Sequence, residues 1–202
     1  MTRRRKYGDA GQAFPIYITV MGGLLFLALA YFAVGQATVN RGGAQTAADA
    51  AALAAAQDTR NQLADEWTKN VLDPTKWQDI FDGVDQGLQD SCRRATDLAE
   101  QNDAHLLPGG CAPGLLSYTV SVETNETMGE SVVPVTATKR SKAYATAVIE
   151  PLCTFSPLAE GAGPDVLPVL KCKHGHPWDL DPKNLTELPK PQDLFDVHLA
   201  SR

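Results

Sequence analysis

The stretch CKHGHPWD, residues 172–179, gathers the side chains in this sequence most able to bind a metal: Cys172, His174, His176 and Asp179. Histidines two residues apart on extended backbone share a side and can share one ion, with thiolate and carboxylate as further ligands. A metal-bound water there would support hydrolysis. Two features weigh against that chemistry. No second ligand cluster has a fitting spacing, and Cys172 is one of four cysteines, with Cys92, Cys111 and Cys153, that form no CxxC pair. An even count at wide spacing fits two disulfides in an oxidising compartment better than zinc. GxSxG, HExxH and P-loop motifs are absent as well. The expectation is therefore no catalytic residue, no metal, no cofactor and no enzyme, with a hydrolase built on His174 and His176 as the minor reading and Trp178 as a packing anchor.

All four cysteines lie beyond residue 90 of the 202. Cys92 falls in an expected helix, Cys111 in the turn after it, Cys153 after the last expected strand and Cys172 in the tail. Chain position favours Cys92–Cys111 and Cys153–Cys172. Each bond closes a loop of about 20 residues, worth on the order of 3 kcal/mol in the chain-entropy account. The net charge of −6 argues against broad nucleic-acid binding. Asn125 and Asn184 open three-residue glycosylation patterns of the kind that arise often by chance.

The elements that would carry these residues begin with an apolar run. Residues 14–35 read FPIYITVMGGLLFLALAYFAVG, uncharged and about the length of a bilayer span, roughly 20 residues. Phe14, Tyr17, Leu24, Leu25, Phe26, Leu27 and Tyr31 are its expected anchor residues, the two tyrosines lying near the ends as interfacial aromatics do. Arg3, Arg4, Arg5 and Lys6 precede it, which places the N-terminus in the cytoplasm and the rest of the chain outside. A buried core helix is one rival. The other is a secretory signal cleaved near Gly35-Gln36-Ala37, which would release a secreted binding module.

Beyond the run, Gly42-Gly43 marks an expected kink or flexible point. A helix then runs over residues 44–72 and ends at Asp73-Pro74. Ala44, Ala47, Ala48, Ala51 and Ala55 line one face. Small residues at that spacing permit close approach of another helix, and the expected occupants are partner subunits, copies of the same chain included. Asp49 is either a contact to such a partner or a solvated charge on an alanine helix.

A second helix is expected over residues 74–102, with Trp77, Ile80, Phe81, Val84 and Leu88 as its core stripe, continued by Ala95 and Leu98. LLPGGCAPG breaks the chain. Alternation then predicts strands in LLSYTVSVET, SVVPVTATKR and KAYATAVIE, with Pro134 marking an edge or bulge. The expected fold is α+β: an N-terminal transmembrane helix continued by an alanine-rich helix, then a second helix packed on a small antiparallel sheet, and an irregular, low-contact, disulfide-held C-terminal tail. The segments are a basic leader (1–12), a span (13–36), a juxtamembrane helix (37–72), an α+β ectodomain (73–150) and the tail (151–202).

The segment GDAGQAFPIYITVMGGLLFLALAYFAVGQATVNRGGAQTAADAAALAAA resembles the N-terminal part of Tad/Flp pilus-assembly proteins of the TadE/TadG-like group. The alanine block after a membrane span is the specific feature, and the resemblance covers roughly the first 60 residues. It implies a minor pilin or assembly component on a single-pass anchor, with its globular part outside the membrane and other pilus or envelope proteins as partners. Prepilin-like members cut after a glycine and carry Glu at the fifth position of the helix. With Gly11 as that glycine and Gln12 first, the fifth residue is Ile16 and the sixth is the expected aromatic, Tyr17. The missing glutamate makes a permanently anchored TadG-like role the better fit.

Overall fold

Alanine-rich sequence favours helix from end to end, and the chain opens on one helix of 57 residues, α1 (Ala13–Lys69). At 1.5 Å per residue it is about 85 Å long. The computed structural model describes residues 13–84, 87–127, 138–158, 163, 166–173, 175 and 177–201, and the side chains of residues 13, 36 and 37 are left out of that description. The basic leader, Gly11, Gln12, most of SVVPVTATKR, His174 and His176 lie outside the described residues. α1 passes through Gly42-Gly43 without a break. Nothing lies within 4 Å of where a Cβ would stand at either glycine, so no close approach calls for them. Helix on both sides of the pair offsets their weak propensity, and the expected kink is absent.

The expected second helix is two pieces. A 3-10 turn (Pro74–Lys76) leads into α2 (Trp77–Phe81), and α3 (Cys92–Gln101) starts only after an irregular loop. Gly83 ends α2. Its φ is +70°, a conformation glycine adopts without strain, and the Val84 N–H reaches back to the Asp79 carbonyl at 2.9 Å. Trp77, Ile80 and Phe81 are buried as a stripe should be, but Val84 is exposed.

Four strands form one antiparallel sheet in the order β1-β2-β3-β6: β1 (Ala104–Pro113), β2 (Ser117–Thr124), β3 (Lys142–Pro151) and β6 (Phe195–Leu199). β1 is the stretch read as a break. It holds its pairing through a bulge between Leu106 and Cys111, where Gly109 has φ +68°. At Gly110 a Cβ would stand 2.5 Å from the Ser121 carbonyl oxygen and 2.6 Å from that of Leu107, so the strands close only around a glycine. A two-stranded ladder, β4 (Cys153–Phe155) with β5 (Leu170–Cys172), lies apart from the main sheet.

The fold class is α+β, as expected. The tail is disulfide-held, and it also does more: α4 (Pro191–Leu194) and β6 return to the sheet, with Leu194 and Phe195 fully buried. The low-contact expectation is corrected there. Short apolar runs such as DLFDV have little signal on their own, and they are held by pairing with β3, Pro151 facing Phe195 and Ile149 facing Val197. The main cover of the sheet is α1, which packs on β2, β3 and β6, while α3 lies against α1 and β1.

Candidate functional site: the anchor helix and its seat

The two halves of α1 live in different environments. Residues 14–34 rise about 31 Å, the thickness of a bilayer core of about 30 Å. Every expected anchor side chain is exposed, from Leu24 at 58% to Tyr31 at 84%. The most apolar 18-residue window of the helix has none of its residues buried in the chain. A contiguous apolar surface of that size on a water-exposed helix is strongly unfavourable, because each Å² left in water costs about 25 cal/mol. This half of α1 is long and apolar enough to cross a membrane. Its solvent exposure is the opposite of the buried core helix considered as a rival.

From Ala44 the helix is seated. Ala44, Ala47, Ala48, Ala51 and Ala55 have no exposed surface, and neither do Ala52 and Ala56. All of these except Ala44 lie in one core with Tyr118, Val120 and Val122 of β2 and Ala145, Ala147 and Ile149 of β3. The stripe expected to meet partner helices is therefore covered by the chain's own globular part, a correction with a simple cause. The inward face of β3 is itself built of alanine, so small side chains meet small side chains and helix and sheet approach closely. Each buried methyl contributes on the order of 0.8 kcal/mol, so the stabilisation comes from number and fit.

Polar contacts fix the helix on its seat. One turn beyond Ala55, Thr59 continues the buried stripe, with its Oγ1 2.8 Å from Ser91 Oγ and 2.9 Å from the Tyr118 hydroxyl. Ser91 Oγ donates to Asp58 Oδ2 at 2.8 Å, and Gln62 Nε2 donates to the same oxygen at 3.0 Å. The Gln89 N–H donates to Gln62 Oε1 at 2.7 Å. This network ties the loop before α3 to α1 and β2. Sequence reading missed it; the available signal was a threonine four residues after Ala55 and four before Leu63, on the buried line. At the far end, Trp67 packs at a 54° tilt on Trp77 with ring centroids 5.4 Å apart, and Trp77 meets Phe155 edge-on at 5.3 Å.

Asp49 lies at the rim of the seat, half-buried, accepting from Gln45 Nε2 at 2.6 Å. With Gln45, Tyr144, Thr146 and Leu199 it lines a cleft of about 370 Å³ between α1 and the edge where β6 stops. Lower on the helix, Asn40 Nδ2 donates to the Thr127 carbonyl at 3.3 Å, and Gln45 Nε2 reaches the Tyr144 carbonyl at 3.4 Å.

The cysteines form two disulfides, Cys92–Cys111 and Cys153–Cys172, in the pairing that chain position favours. The first fastens the start of α3 to β1. The second joins residues directly opposite each other in the β4–β5 ladder. Cys172, Trp178, Asp193 and Asp196 line a cleft of about 560 Å³. Trp178 is half-buried, and its backbone N–H donates to the Leu170 carbonyl at 2.8 Å. Among the described residues no three His, Cys, Asp or Glu side chains are placed to hold a metal. Nearby, the Lys173 ammonium hydrogen-bonds to Glu150, and its charge holds that carboxyl below the ordinary range.

Residues 11–58 match the Tad family model, described as Flp pilus-assembly TadE/G-like. The match takes in the exposed apolar half of α1 and the seated alanine block, and it supports the family resemblance of that segment. No curated protein and no solved structure matches the chain.

Proposed function

We propose, with the Tad match over residues 11–58 as the premise, that this protein is a membrane-anchored extracytoplasmic component of a Tad/Flp-type pilus apparatus. It acts by protein–protein contact rather than by catalysis. The observation that carries the reading is the division of α1: an exposed apolar half of bilayer length joined without a break to a half sealed into the globular part. In this reading residues 14–35 span the membrane, the N-terminus is cytoplasmic and the leader stays attached. Disulfides in the globular part agree with an oxidising compartment. Because the alanine stripe is used internally, copies of this chain and other pilus proteins are met through the membrane half of α1 and the outer face of the sheet.

The test is extraction of the full-length protein from native membranes, followed by mass measurement of its N-terminus and by co-purification. An intact leader, release only by detergent, and recovery with other Tad-type components are the expected results. A start at Gln12 indicates prepilin-type processing after Gly11. A start near Thr38, with the protein in the soluble fraction, replaces the anchored reading with a secreted binding module. Failure to co-purify with any Tad-type component overturns the pilus role.

A further inference from the structure

The unbroken helix sets the height of the globular part above the bilayer. On the anchored reading, on which this inference rests, the span ends at Gly35, and the Arg41 backbone stands about 9 Å beyond it along the helix axis. That is just outside the phospholipid headgroups, which add roughly 5–7 Å on each side of the hydrocarbon core, and within reach of a long side chain directed back toward the helix N-terminus. The end of the globular part nearest this level is where β2 ends, at Thr124, and β3 begins, at Lys142. Asn40 holds Thr127 there, and the Thr124 N–H donates to the Ser141 carbonyl at 2.9 Å. Arg41 and Lys142 line one shallow cleft with Tyr144. Lys139 and Arg140 are exposed immediately before it.

Four cations thus gather at the membrane-proximal end of a protein whose net charge is −6. Among the described residues their counter-charges there are fewer: Glu123, which lies 3.6 Å from Lys142 and 3.7 Å from His105, and the exposed Glu126 and Asp103. Tyr144 is 66% exposed beside them. An exposed tyrosine among lysine and arginine is the composition that settles at a membrane interface, the ring among the headgroups and the cations on phosphate. The separation is also short enough. The Debye length at physiological salt is about 8 Å, so charges at this height feel the bilayer surface.

We propose that Arg41, Lys139, Arg140, Lys142 and Tyr144 form a docking surface for the anionic phospholipid headgroups of the bilayer that α1 crosses, holding the globular part down on the membrane. A rigid helix alone leaves the globular part free to tilt with the span. The patch selects the orientation in which the start of β3 faces the lipid.

The experiment uses the full-length chain in nanodiscs of phosphatidylcholine alone and of phosphatidylcholine with phosphatidylglycerol. Backbone hydrogen exchange is followed over residues 138–146. Docking slows exchange there by about tenfold in the anionic discs, and 1 M NaCl reverses it. The exposed double variant Lys139→Gln, Arg140→Gln removes two charges worth about fivefold each in lipid binding, enough to abolish the tenfold difference between the two lipids. Equal exchange in the two lipids overturns the docking surface and leaves the anchor standing. Flotation with neutral and with anionic vesicles separates the two readings: a chain that floats with neither kind overturns the anchor and the docking surface together.

Discussion

Ala51→Leu distinguishes an internal seat from an intermolecular one. Ala51 is fully enclosed in the chain's own core, and the stripe on either side of it is alanine. A leucine brings three more carbon atoms into a close-packed contact between α1 and the sheet. Overpacking of this kind costs about 1–3 kcal/mol. For a folded unit of this size, each kcal/mol lowers Tm by about 2–4 °C, so a fall of about 2–12 °C is expected. Ala51→Gly serves as a control in the opposite sense. It removes the methyl and weakens the helix by about 1 kcal/mol, with no overpacking. Thermal unfolding of the full-length protein in detergent, with the disulfides intact, measures both. Capture of pilus components below Tm measures partner binding separately. The reasoning is refuted if Ala51→Leu unfolds at the wild-type temperature but loses its partners, because the stripe would then face another molecule.

Three further outcomes follow from the same geometry. Gly110→Ala forces a Cβ to within 2.5 Å of the Ser121 carbonyl oxygen; β1 must separate from β2, and a loss of about 1–3 kcal/mol is expected in urea unfolding. Thr59→Val keeps the shape but leaves the buried Ser91 and Tyr118 hydroxyls short of a partner, for a loss of about 1–3 kcal/mol and faster exchange in the loop before α3. Lys173→Met returns the Glu150 carboxyl toward its ordinary 4.5, as read by NMR titration. Because Lys173 depresses the folded-state pKa, the pair's contribution is present above the unfolded value and is lost as pH falls through the folded one. Both side chains are about half exposed, so screening keeps the effect on the acid-unfolding midpoint small. A Glu150 that stays depressed in the variant would refute the assignment of Lys173 as the cause.

Local signals account for a good part of the molecule. The apolar run at 14–35, the alanine spacing from Ala44, the alternation in β2 and β3 and the placement of the cysteines are each properties of a few neighbouring residues, and each reappears in the structure. The errors share a different cause. A continuous helix over 74–102 had the right apolar period, but Gly83 takes a positive φ that ends α2. PGGC looks like a turn, yet Gly109 and Gly110 let β1 bulge and stay paired. The tail is weakly patterned because β6 owes its conformation to hydrogen bonds from β3 rather than to its own alternation.

The sequence by itself determined that α1 is helical, that its first half is apolar all round and that its second half carries a small-residue stripe. Those follow from side-chain chemistry and the 3.6-residue period. What fills the stripe was beyond it. A row of alanines states only that something comes close, and the identity of that partner depends on residues about a hundred positions away, Ala145 and Ala147 on β3. Tertiary structure alone decided that the close neighbour is the chain's own sheet. It also set Arg41 beside Lys142, a proximity that folding creates between groups far apart along the chain.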